Sequence, residues 1–126
     1  MVGHASVTAI DPGVPASLSR PLLDGVVRGE WRFDGVMISD DLTMTVVYDR
    51  GLCDSAVQAL AAGMDLLLIA YDDEKFYPTL DCLLQAQRDG RLPDLGPSTS
   101  GLEALLGSPP GGGAGSGFEK PIGGGI

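Results

Sequence analysis

The chain reads as an α/β protein built on a parallel sheet. Three observations point there. Val36-Met37-Ile38 and Leu66-Leu67-Leu68 are short apolar runs without alternation, the pattern of strands covered on both faces. Each run is followed by a stretch with apolar residues at helical spacing, and such alternation means helical crossovers between parallel strands. Acidic pairs stand just beyond the runs, Asp40-Asp41 after the first and Asp72-Asp73 after the second. In parallel α/β folds ligands bind beyond the carboxyl ends of the strands.

Three strand-then-helix units can be placed in order. Met1 to His4 is the end of a strand. Ser19 can cap a helix that has Pro21 in its first turn, and Leu22, Leu23, Val26 and Val27 give it an apolar stripe. That helix should end near Gly29. Val36 to Ser39 is the second strand. Asp54 to Ala62 is helical, with Ala56, Leu60 and Ala61 facing inward and Gly63 as the C-terminal stop. Asp65 to Ala70 is the third strand. Asp73 or Glu74 opens the last helix, which carries Leu80, Leu83, Leu84 and Ala86 and ends at Gly90. From Pro93 onward Pro, Gly and Ser dominate. Such a stretch cannot bury enough apolar surface to offset backbone entropy. Residues 1–91 are therefore read as the α/β portion of the chain, and residues 92–126 are expected to be a disordered tail, either a linker or a truncated or wrongly framed coding end.

Charge excludes some partners. The 126 residues carry a formal net charge of −9, and before residue 91 six Lys and Arg stand against fourteen Asp and Glu. Binding a nucleic-acid backbone needs clustered Lys and Arg, so no nucleic-acid partner is expected. No stretch reaches the roughly 18 apolar residues of a membrane span, and no basic-then-apolar leader opens the chain. Cys53 and Cys82 lack Cys-x-x-Cys spacing and have a single His, His4, to join them. They read as two buried reduced thiols of a cytoplasmic protein rather than as a metal site.

The run from Phe33 to Met44 carries the chemistry. Phe33, Gly35, Val36, Ser39, Asp40, Asp41, Leu42 and Met44 resemble the nucleophile segment of glycoside hydrolase family 3, closest to the bacterial β-N-acetylhexosaminidase branch that recycles cell-wall sugars. Met1-Val2-Gly3-His4 resembles the preceding barrel strand of that family. Asp11-Pro12 and Pro15-Ala16-Ser17-Leu18-Ser19 resemble the loop and helix start that follow it, and Ala61-Ala62-Gly63-Met64-Asp65 resembles the family's Ala-Gly-x-Asp strand. The resemblance covers residues 1 to about 90. It implies a partial (β/α)8 TIM barrel, namely its last three βα units. A closed barrel needs roughly 250 residues, so the chain is expected to be the C-terminal part of that domain, cut from a longer enzyme.

The resemblance implies a retaining hydrolase of terminal β-N-acetylhexosaminides that needs no cofactor and no metal. In such enzymes a carboxylate attacks the anomeric carbon while a second group protonates the leaving oxygen. The resemblance puts the nucleophile on Asp40; from the residues alone, Asp40 could equally cap the turn after the strand. Asp41 diverges from it, as successive side chains do at a strand end, and reads as an acceptor for loop N–H groups. His4 matches the end of the strand before the nucleophile strand. It either lines the sugar pocket or is hydrogen-bonded within the barrel mouth. Met44, with Thr43, either contacts the sugar or packs. The family's acid/base His and its sugar-gripping residues belong to upstream loops with no counterpart here, so the chain alone is expected to be inactive.

Two other readings compete. A β-glucosidase of the same family more often has Trp after the nucleophile, where this chain has Asp41. Asp40-Asp41 with Asp72-Asp73 could instead hold Mg²⁺ for phosphoryl transfer. Asp40-Asp41-Leu42-Thr43 lacks the Asp-x-Asp-x-Thr spacing of one such class, and Lys75 lies at a helix start rather than a strand end, where another class needs its Lys.

Overall fold

The computed structural model describes residues 1–92; the tail expected from 92 to 126 thus lies almost wholly outside the described residues. The expected α/β architecture is present. Strand β1 (Ile38–Asp41) pairs in parallel with β2 (Leu66–Leu68). On its other side β1 forms a parallel bridge from Ser39 to Val2. There the Val2 N–H donates to the Ile38 carbonyl at 2.8 Å and the Asp40 N–H donates to the Val2 carbonyl at 2.9 Å. The three parallel segments thus lie in sequence order, with β1 in the middle.

Neither strand keeps its expected bounds: β1 begins and ends two residues later than Val36–Ser39, and β2 is shorter than Asp65–Ala70. Met37 precedes β1 because its N–H donates to the Asp65 carboxylate at 2.6 Å instead of joining a ladder. β2 stops at Leu68 because the Ala70 and Tyr71 N–H groups turn toward the Asp41 carboxylate. Only Val2 of the expected strand at residues 1–4 is paired.

A π-helix spans Pro21–Glu30. Ser19 caps it as expected: its Oγ accepts the Leu22 N–H at 3.3 Å and its carbonyl accepts the Leu23 N–H at 2.9 Å. The helix runs past Gly29, and the Trp31 N–H reaches back five residues to the Val26 carbonyl at 2.8 Å. A short helix not anticipated from sequence, α1 (Thr45–Tyr48), leads into α2 (Leu52–Ala62). Gly51, at φ 93°, admits α2 two residues early, and Gly63, at φ 112°, ends it in the left-handed conformation that glycine takes freely. The inward face of α2 is Ser55, Ala56, Ala59 and Ala62, not Leu60 and Ala61. These small side chains at three- and four-residue spacing bring the helix backbone close to the core. The core itself is Leu18, Leu23, Met37, Leu42, Val47, the three alanines and Met64.

A 3₁₀ turn (Asp73–Lys75) precedes α3 (Phe76–Arg88). Only Thr79 and Ala86 of α3 are fully buried, and Leu83 packs partly on the core. Leu80 and Leu84, expected inside, are 40 and 44% exposed, because they lie off the face that meets α2. Cys53 and Cys82 also depart from expectation. They are half-buried and joined in a disulfide, with Cα atoms 5.9 Å apart. The packing of α2 against α3 brings together residues 29 apart in sequence. A disulfide of this kind persists where thiols are not kept reduced, which removes the support that reduced cysteines lent to a cytoplasmic reading. Among the described residues no helix is long and apolar enough to cross a membrane.

Candidate active site

The site forms where β1 ends. β1 advances three residues, from Ile38 to Asp41, while β2 advances two, from Leu66 to Leu68. The extra residue makes a bulge, a device that re-aims side chains beside active sites. Ser39 repairs the ladder at this point: its fully buried Oγ accepts the Leu68 N–H at 3.0 Å. Met37 and Ser39 are buried against the helices. The alternate residues Ile38 and Asp40 therefore point to the other, more open face of the sheet.

Asp40 is half-buried. Its Oδ1 accepts the N–H of Asp41 at 2.8 Å, and among the described residues its Oδ2 has no hydrogen-bond partner. The result is a carboxylate at the end of a rigid strand, with one oxygen held and one available.

Asp41 is committed elsewhere. Its Oδ1 accepts the N–H groups of Thr43 at 3.0 Å and Ala70 at 3.3 Å, and its Oδ2 accepts that of Tyr71 at 3.0 Å. Burial pushes its carboxyl upward, but hydrogen bonds from Thr43, Ala70 and Tyr71 outweigh that and hold it below the ordinary aspartate value. This is the acceptor role read from sequence. It ties the turn after β1 to the turn after β2.

His4 is buried with both ring nitrogens engaged. Nε2 lies 2.9 Å from the Asp41 carbonyl and Nδ1 lies 2.7 Å from Ser17 Oγ. Of the two placements expected for His4, this is the one hydrogen-bonded within the site. Met44 sits on the same loop. Its N–H donates to the Asp41 carbonyl at 3.1 Å, and its side chain is 46% exposed.

Asp72 closes the 3₁₀ turn after β2 through its carbonyl and pairs with Lys75 at 3.9 Å. With the Asp41 oxygens taken by N–H groups, the two acidic pairs do not converge. Among the described residues no group of three or more His, Cys, Asp or Glu side chains could hold a metal ion.

Sequence reasoning missed Arg28. Its guanidinium pairs with Asp65 at 2.7 Å, donates to the carbonyls of Phe33 and Gly35 at 2.8 and 2.6 Å, and lies 5.6 Å from the Phe33 ring centre. Asp65 in turn holds the Met37 N–H. This cluster fastens the Phe33–Met37 approach to the head of β2 and so sets where β1 begins. A lone Asp at the head of an apolar strand was the available signal. Gly35 belongs to the same fit, since a Cβ there would lie 2.6 Å from the Phe33 ring.

A parallel sheet with helical crossovers and a partly exposed carboxylate at the end of its middle strand defines a class of α/β protein whose ligand site lies at the strand ends. The family is narrower than the class. Residues 1–95 match the model of the glycosyl hydrolase family 3 N-terminal domain, and the chain belongs to this family. It is 42% identical over 73 residues to a β-hexosaminidase of Pseudomonas aeruginosa strain LESB58, covering 57% of this chain and 22% of that protein. It is 38% identical over 99 residues to the β-hexosaminidase LpqI of Mycobacterium tuberculosis, covering 74% of this chain and 25% of that protein. The solved structure of a family 3 β-N-acetylglucosaminidase from Paenibacillus sp. strain FPU-7 superposes with a TM-score of 0.72 at 36% identity, over 78% of this chain and 19% of that one. The chain thus spans about a quarter or less of the length of these relatives.

Proposed function

We propose that these residues carry the nucleophile of a retaining glycoside hydrolase that removes terminal β-linked N-acetylhexosamines, as in the recycling of cell-wall sugars. The observation that carries this reading is the Asp40 carboxylate, with Oδ1 held by the Asp41 N–H and Oδ2 available. A retaining glycosidase needs a carboxylate both fixed and directed at the anomeric carbon. In the first step Asp40 Oδ2 bonds to that carbon as the glycosidic bond breaks, and an acid protonates the departing oxygen. In the second step water, deprotonated by the same group, attacks the anomeric carbon and releases the Asp40 carboxylate. His4 is not that acid, because both its nitrogens are engaged. It serves the site through the backbone it holds, while the exposed Met44 side chain forms part of the sugar-pocket wall.

In this reading the segment is the last three βα units of a (β/α)8 barrel, a fold of roughly 250 residues. The proton donor and the groups that grip the N-acetyl sugar come from outside the described residues. The chain alone then hydrolyses aryl N-acetylglucosaminides at no enzyme-like rate, since losing general acid–base catalysis costs about 10²–10⁴-fold. The test uses a complete family 3 barrel in which residues 1–92 replace the corresponding segment. A 2-fluoro glycoside should label Asp40, and Asp40→Ala should abolish turnover. A label on Asp41, or near-normal turnover by Asp40→Ala, would reject the assignment.

A further inference from the structure

Asp40 has few contacts of its own, yet the residue after it is held on every side. The Asp41 carbonyl takes two donors, from His4 Nε2 at 2.9 Å and the Met44 N–H at 3.1 Å. Its carboxylate takes three backbone N–H groups. Among the described residues its own N–H makes the single hydrogen bond to the Asp40 carboxylate. The Asp41 N–H and carbonyl belong to neighbouring peptide planes that share its Cα, so anchoring the carbonyl restrains the backbone that carries the N–H.

The hydrogen-bond directions at His4 follow from chemistry. A carbonyl only accepts, so Nε2 carries the proton. In the neutral ring Nδ1 then accepts, and Ser17 donates its hydroxyl. Ser17 is fully buried in the 3₁₀ helix Ala16–Leu18 and has no other side-chain partner among the described residues. A buried hydroxyl directed at one ring nitrogen selects the tautomer that reaches the Asp41 carbonyl with the other.

We propose that Ser17, His4 and Asp41 form a positioning relay that directs Oδ2 of Asp40 without itself touching the substrate. Ser17 fixes the tautomer of His4, His4 anchors the Asp41 carbonyl, and the anchored Asp41 presents its N–H to Asp40 Oδ1. The three residues are positioning residues, and the relay rests on the assignment of Asp40 as the nucleophile only for its catalytic meaning.

The 126-residue chain itself provides the test by NMR, because His4 is its only histidine. Nitrogen-15 spectra should show Nε2 protonated and Nδ1 unprotonated in the neutral ring; the opposite tautomer would overturn the relay without any variant. Asp40→Asn should move the Asp41 amide proton upfield, because its bond to Oδ1 loses a charged acceptor. In Ser17→Ala and His4→Phe that displacement should fall at least twofold while the amide shifts of α2 stay in place, and His4→Gln, which keeps an N–H donor, should recover part of it. A full-sized displacement in both Ser17→Ala and His4→Phe would show that the relay does not orient Asp40. Failure of a 2-fluoro glycoside to label Asp40 in the complete barrel would instead remove the catalytic reading and leave these couplings standing.

Discussion

Asp41 offers the sharpest test of how the site is held. Replacing it with Asn keeps the shape and removes the charge that three backbone N–H groups point toward. A hydrogen bond to a charged acceptor contributes about 1.5–3 kcal/mol net. Ala70 and Tyr71 are exposed, so water replaces much of what they lose, and an Asn oxygen still accepts one bond. The expected loss for Asp41→Asn is therefore about 1–2 kcal/mol, or roughly 5–15 °C in Tm for a domain under 100 residues. Its pH dependence has a definite sign. The folded-state pKa of Asp41 is depressed below the ordinary value of 3.8. The carboxylate's contribution is thus fully present above that value and is lost as pH falls through the folded pKa. Urea unfolding of both proteins from pH 7 to pH 2.5 should show a constant gap down to about pH 4 that closes below it. A gap that persists undiminished at the lowest pH would show that the ionised carboxylate contributes nothing, and the account of the turn would fail.

Reducing the Cys53–Cys82 bond should destabilise the fold by about 3–4 kcal/mol on loop entropy, read as a lower urea midpoint with dithiothreitol; two free thiols in the untreated protein, by thiol titration and peptide mapping, would contradict the pairing. Asp65→Ala, which frees both Arg28 and the Met37 N–H, should cost about 2–4 kcal/mol. The double variant with Arg28→Met should lose less than the sum of the two single losses, as shared partners require; strict additivity in chemical denaturation would argue against the cluster. Ser39→Ala should cost about 1–3 kcal/mol, because it leaves the Leu68 N–H without its acceptor, and an unchanged urea midpoint would count against the bulge repair.

The parts of the fold legible in sequence are those written in local chemistry. The helix start at Ser19 depends on a hydroxyl beside Pro21, and the stop at Gly63 on a residue that adopts positive φ. The strands were legible as apolar runs, and Asp40 as the first carboxylate after one. What pairs with what was not legible. Met37 and Ala70 belong by composition to strands, yet their N–H groups bond side chains from residues 28 and 29 positions away. Of the inward face expected for α2 only Ala56 is buried, and Ser55, Ala59 and Ala62 complete it with small side chains that allow the approach its neighbours demand.

At the site the division is the same. The sequence alone determined that an acidic pair follows an apolar strand, and a resemblance implied which of the two would attack. Only the tertiary structure separated their surroundings. It placed the Ala70 and Tyr71 N–H groups around Asp41 and, among the described residues, left one oxygen of Asp40 without a partner. It also brought Arg28 to Asp65 across 37 residues, His4 to Ser17 across 13 and Cys53 to Cys82 across 29. The physical reason is common to all of these. Hydrogen bonds, ion pairs and disulfides act over a few ångströms in space, and a linear sequence states the groups available but not the distances between them.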